Sequence, residues 1–186
     1  MPAGVVFVKQ PLRRSQAVTH DQHPLRAVLN SIGPDSCPGL LNFHCHTVCS
    51  DGSLEPVALI EQATARKLSH IAVTDHHSIA AYVPMVDWLD RARDRGECTP
   101  TLWSGMAISC ILRGCLVHVL ALGFRQGHPA LLPYSSGDAA VGAPLRAGEV
   151  RKAIHSAGGL AILAHPGRYR LGFSVLIEAA AELGFD

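Results

Sequence analysis

Residues 42–52 read NFHCHTVCSDG. They set His44 and His46 on either side of Cys45 and bring Asp51 five residues later. The run leading in, LLNFHC, is apolar and short, which suits a buried strand. Alternate residues of a strand leave the same face, so His44 and His46 project together, about 6–7 Å apart, while Cys45 turns the other way into packing. Imidazoles at that separation can grip one divalent ion. A lone His-x-His is more often a polar turn. Here an apolar strand precedes it and Asp51 and a capped helix follow, which favours the ligand reading. Ser53 is the expected N-cap, with apolar helix positions at Leu54, Val57, Ala58 and Leu68.

The arrangement recurs further along. HIAVT (70–74) reads as a strand and closes on Asp75-His76-His77. A carboxylate beside an imidazole at a strand end suits manganese, iron or zinc. Asp75 as a helix cap and His76 as a solvated turn residue weigh equally at this point. Residues 78–95 are helical in composition, with Pro84 near the start or at a kink. LWSGMAISCIL and CLVHVLALGF follow as two strands joined by an Arg113-Gly114 turn. His118 lies inside the second, where a histidine is often a satisfied core residue. Residues 124–148 form a long loop or lid. EVRKAIHSAGG is a helix closed by glycines, LAILA a strand ending on His165, and SVLIEAAAELG a last helix.

Strands alternating with helices imply a largely parallel α/β architecture, with functional residues at the carboxyl ends of the strands. Four histidine-bearing places on successive strands make the pattern of a multinuclear metal site. His20, His23, His70, His128 and His155 show no ligand spacing. Cys45, Cys110 and Cys115 fit buried strand positions. Arg168 and Arg170 suit an anionic group such as phosphate, and equally a solvated loop.

The totals bound the rest. A chain of 186 residues with 48% hydrophobic and 17% charged residues can bury one domain's core. A net charge of +1 without a Lys or Arg run gives no nucleic-acid footprint. The six cysteines form no CxxC pair and no signal peptide precedes them, so free thiols in the cytoplasm are expected. Apolar runs break well before the roughly 20 residues of a membrane span. Residues 1–36 are rich in Pro, Gln, Arg and His and read as an extension, partly disordered. It carries one short helix across Leu25–Ser31 and ends at Gly33-Pro34. The domain proper is expected over 37–186.

NFHCHTVCSDGSLEPVALIEQA, IAVTDHHSI, the VHVLALGF run and LAILAHPGRY together resemble the PHP family, the polymerase and histidinol phosphatase metallophosphoesterases. The resemblance spans residues 41–186 and is nearest to the small stand-alone enzymes. It implies a distorted (β/α)7 TIM-like barrel holding up to three divalent ions, commonly manganese, iron or zinc. It implies His44 and His46 on a first metal, His118 and His165 on a second, and Asp51 and His76 on a third. Asp75 would orient an imidazole, acting with His76 in catalysis, and His77 and Arg168 would meet the substrate phosphate. A hydroxide bridging two ions would attack a small phosphate ester, a nucleotide or another phosphorylated metabolite, with no side-chain nucleophile. Two departures stand out. Where the family reads GVEIS, with a glutamate bridging two metals, this chain has Ala107. The last Asp-x-His ligand pair and the last strands are expected beyond Asp186. These favour fewer ions here, self-association along an open sheet edge, and a rival reading as an inactive metal- or phosphate-binding module. A polymerase-attached domain is disfavoured by the absent basic patch.

Overall fold

The structure is a computed structural model and describes residues 22–186. The LNFHC run forms β1 (Leu41–Cys45), which pairs in parallel with β2 (His70–Val73), and β2 pairs in parallel with the short β3 (Thr101–Trp103). Between them lie α2 (Pro56–Ala65) and α3 (Tyr82–Asp94). The expected start of α2 at Ser53 is corrected to Pro56, with Glu55 as the cap residue. Proline fits the first helical position because its fixed φ is already helical and no partner awaits an amide there. Pro84 falls in the first turn of α3, where it breaks no helical hydrogen bond.

LWSGMAISCIL is not one strand. It breaks after Trp103 and resumes as β4 (Gly105–Leu112). A Cβ on Gly105 would lie 2.3 Å from the Val73 carbonyl oxygen, so only glycine lets β4 cross the end of β2. Past the crossing, β4 runs beside the continuation of β2. The Ala107 amide donates to the Asp75 carbonyl at 3.1 Å and the His77 amide to the Ala107 carbonyl at 3.0 Å.

The largely parallel sheet expected holds only for the first half. Arg113 and Gly114 link β4 to β5 (Cys115–Leu122), and a two-residue link permits only antiparallel pairing. β6 (Leu160–Leu163) pairs antiparallel with β5 in turn. β5 therefore runs against its neighbours, which brings its start, and His118, to the end where β1, β2 and β6 finish. The described strands form two three-stranded sheets, β1-β2-β3 and β4-β5-β6, and do not close into the barrel expected. The mixed α/β class stands.

α4 (Ala147–Ser156) and α5 (Phe173–Glu182) cover one face of the second sheet, burying Met106, Ile108, Val117, Val119, Ile154 and Leu176. α2 and α3 cover the first sheet around Ile60, Ile71, Met85 and Leu89. The 124–148 segment expected as loop carries two 3-10 turns, Pro129–Tyr134 and Ala143–Leu145. A third cluster fills the inner face, with Leu41, Phe43, Ala107, Leu120, Leu122 and Leu160.

Helix α1 (Pro24–Asn30) closes the amino-terminal end of that inner face. Leu25 is wholly buried in the inner cluster, and the His23 ring nitrogen Nε2 lies 3.0 Å from the Gly123 carbonyl oxygen. Residues 22–36 of the expected extension are thus docked on the domain. Residues 1–21 of that extension lie outside the described residues. No helix among the described residues is long and apolar enough to cross a membrane.

All six cysteines are free. Cys45 turns away from its flanking histidines, as expected, and its thiol donates to the Ala72 carbonyl at 3.4 Å. Burial pushes the Cys45 and Cys110 thiols up to about 12. In an alkylation time course at neutral pH the exposed Cys37 and Cys98 are labelled first, while Cys45 and Cys110 resist until denaturant is added. Leu25→Ala lowers the urea midpoint by the equivalent of about 2–5 kcal/mol, the cost of a cavity under the inner cluster. A change under half of that would mean α1 does not dock in solution.

Candidate metal centre

β1 delivers His44 and His46 from its carboxyl end, β2 delivers His76 just past its last residue, β5 contributes His118, and β6 leads into His165. Five imidazoles from four strands form a closed ring. Successive centroids, taken in the order His44, His46, His76, His118, His165 and back to His44, are 5.3, 4.7, 4.6, 5.6 and 5.3 Å apart. The ring lines a cleft of about 350 Å³, together with Asp51, Arg168 and Tyr169.

Asp51 closes over one side. Its carboxylate oxygens lie 3.2 Å from His46 Nδ1 and 3.6 Å from His76 Nε2. The turn carrying it doubles back on β1: a Cβ on Gly52 would meet the His46 carbonyl oxygen at 2.3 Å and the Thr47 nitrogen at 2.6 Å. No larger residue permits that approach. His46, Asp51 and His76 each offer a ligand atom within 4.8 Å of the others. The turn thus brings Asp51 to both His46 and His76, while His44 stays beside His46.

The electrostatics suit a cation. Desolvation, then the neighbouring imidazoles His46, His165 and His76, lower His44 to about 4. Burial, then His76, His165 and His44, bring His118 to about 4 as well. Both rings are neutral at pH 7, the form that ligates. Desolvation works to raise Asp51, yet His46 and His76 hold its carboxyl below the ordinary value. His46 Nδ1 and His165 Nδ1 are buried with no hydrogen-bond partner. The contact of His46 Nδ1 with Asp51 is close without the direction of a hydrogen bond. Buried polar atoms left unpartnered are costly unless something else satisfies them. Five imidazoles and one carboxylate fit a borderline divalent ion such as zinc or iron.

The PHP domain profile matches residues 42–136. The chain belongs to the PHP domain family. The match takes in His44, His46, Asp51, His76 and His118, and leaves out His165 and Arg168. A curated relative, a 5'-3' exoribonuclease of Escherichia coli, is 28% identical over 95 residues, 51% of this chain and 31% of the relative. A phosphoribosyl 1,2-cyclic phosphate 1,2-diphosphodiesterase of Eggerthella lenta is 34% identical over 93 residues, 48% of this chain and 33% of the relative. Both matches span about a third of those relatives' length. Among solved structures, an amidohydrolase of Chromobacterium violaceum superposes with a TM-score of 0.63 at 21% identity, covering 78% of this chain and 75% of the other. At that identity the likeness is one of fold.

Two residues expected at the PHP site stand elsewhere. Asp75 is buried and touches no imidazole by hydrogen bond. It accepts from the Thr47 amide at 2.6 Å, the Thr47 hydroxyl at 2.6 Å and the Ser50 hydroxyl at 2.7 Å. Those three bonds hold the turn between His46 and Asp51. His77 turns away from the cleft in a left-handed conformation with φ 51. Its Nδ1 lies 3.1 Å from the Tyr134 carbonyl oxygen and its Nε2 accepts from the Ser109 amide at 3.2 Å. With both nitrogens so engaged and the ring buried, His77 is not available to a substrate phosphate. Thr47, Ser50 and Tyr169 belong to the site's surroundings and were not picked out from sequence, since a hydroxyl carries no ligand spacing.

Ala107 is wholly buried. It lies two residues from Ser109, which pairs with His118, so its methyl group is on the same sheet face as the His118 ring. Asp75→Ala leaves the buried Thr47 amide without an acceptor, costing roughly 1–3 kcal/mol for that group alone. Urea denaturation measures the loss, and hydrogen exchange across 47–51 should quicken with it; an unchanged midpoint would deny Asp75 this role.

Proposed function

We propose that this chain hydrolyses phosphate esters with divalent ions held by the imidazole ring and Asp51. The carrying observation is the closed ring of five imidazoles in which two buried ring nitrogens, His46 Nδ1 and His165 Nδ1, accept or donate no hydrogen bond. One ion would be held by His46, Asp51 and His76, the set of ligand atoms found within 4.8 Å of one another among the described residues, and His44, His118 and His165 would be left to hold another. Zinc, iron and manganese are the candidates, with the nitrogen-rich donor set leaning to zinc or iron. Bound divalent ions supply Lewis-acid charge to a phosphoryl oxygen and a nucleophile drawn from water at neutral pH.

The chain's own residues do the rest. Arg168 lines the cleft, is exposed, and presents a planar fork that matches phosphate oxygens. The Thr47 and Ser50 hydroxyls are given to Asp75, and Cys45 is a protonated thiol facing away. None of the three is free to attack phosphorus, which supports hydrolysis by water over a covalent intermediate. The relatives' names, an exoribonuclease and a cyclic phosphodiesterase, support a nucleotide or another phosphorylated metabolite as substrate. The same reading assigns the protein to the cytoplasm, where six free thiols stay reduced.

Ala107 favours a second reading, a metal- or phosphate-binding domain without turnover. A methyl group on the cleft-facing side supplies no bridge between ions.

Elemental analysis of the chelator-stripped chain reloaded with manganese or zinc tests the first reading. About two ions per chain are expected, the number a paired-metal site takes. Phosphate release from nucleotide esters should disappear with chelator. Metal without turnover would leave the binding reading, and no metal would end both. Ala107→Glu is expected to bind manganese more tightly than the parent, and equal binding would mean the ring is not spaced for a bridge.

A further inference from the structure

The ladder between β5 and β6 ends in an unusual way. Its register runs from Leu122 opposite Leu160 to Val119 opposite Leu163. The next pair is His118 and Ala164, and the Ala164 amide does donate to the His118 carbonyl at 3.0 Å. In a regular antiparallel pair the two residues exchange both bonds, and the His118 amide would donate back to Ala164. It donates instead to the Tyr169 hydroxyl oxygen at 2.7 Å. The reason lies one residue on. His165 turns into a left-handed conformation, φ 31 and ψ 59, and carries the chain out of the sheet.

Tyr169 then comes back. Its hydroxyl takes the place of the carbonyl that β6 withdraws, and its ring packs on His165 with centroids 5.2 Å apart. The next residue fastens the same loop to the start of β5, where Arg170 Nη2 donates to the Gly114 carbonyl at 2.7 Å. One side chain therefore touches both imidazole-bearing residues at the place where their strands part. His118 and His165 have centroids 5.6 Å apart, the widest step of the ring. Among the described residues no other side chain bonds the His118 amide.

We infer that Tyr169 is a positioning residue for the His44–His118–His165 ion: its hydroxyl fixes the backbone of His118 while its ring sets the rotation of His165. This rests on the metal reading above. Tyr169→Phe keeps the ring and removes only the acceptor. The metal-free wild-type chain, Tyr169→Phe and His165→Ala are titrated with zinc against a chromophoric chelator. His165→Ala identifies which zinc equivalent belongs to this set. Tyr169→Phe should weaken that same equivalent about 10–100-fold, the usual loss when a ligand's supporting bond is removed. The equivalent held by His46, Asp51 and His76 should be unchanged.

Ser104→Ala is the control, since it deletes another hydroxyl bond, Ser104 Oγ to the Phe124 carbonyl at 2.6 Å, past the end of β5 remote from His118. It should leave both equivalents unaltered. Equal weakening of both equivalents in Tyr169→Phe, or of neither, overturns the inference. A wild-type chain that binds no zinc overturns the metal reading itself and this inference with it. Should Tyr169→Phe not fold, hydrogen exchange in the wild-type chain decides. The His118 amide should be protected as the Leu120 amide is, and exchange at a free-loop rate would show that Tyr169 does not hold it.

Discussion

The buried carboxylate of Asp75 stands at the junction of everything that matters in this molecule. A charge taken out of water is stable only when its lone pairs are met by donors. Here the donors are the Thr47 amide and the Thr47 and Ser50 hydroxyls, all from the turn after β1. Satisfying Asp75 therefore fixes the path from His46 to Asp51. Its main-chain carbonyl, meanwhile, receives the Ala107 amide and so docks β4 against the end of β2. One residue thus ties the first sheet, the second sheet and the ligand-bearing turn together. The histidine ring can close only because these three are in register.

The parts of the site legible in the sequence are those encoded by period. His44 and His46 two apart on an apolar strand, His76 after another and His165 after a third announce themselves, because strand ends are short and alternate strictly. The hairpin at Arg113-Gly114 was legible for the same reason. What was hidden depends on contacts distant in the chain. Nothing near Gly105 says that Val73 will lie 2.3 Å from a missing Cβ, so the break between β3 and β4 is invisible until the strands are placed. His77 looks like a twin of His76, and only a left-handed turn sends one ring to the cleft and the other to Tyr134 and Ser109. Residues 22–36 read as tail by composition, yet Leu25 under the sheet, with Val28 and Leu29 beside it and His23 against Gly123, docks them.

Ala107 shows how backbone and side chain can serve different ends at one position. Its backbone does what the fold needs, bridging the two sheets beside His76. Its side chain packs with Phe43, Leu120 and Ala164 in the inner cluster. The fold therefore has no objection to alanine. Architecture and ligand set are separable at this position.

Helix α1 gives the inner face two unlike ends. It sits at the amino-terminal end of the inner face, with Leu25 sealed between β1, β5 and β6, while the imidazoles stand at the opposite end. Among the described residues, helix α1 and the inner cluster thus fill the end of the inner face away from the imidazoles, and Arg168 is the arginine that lines the cleft.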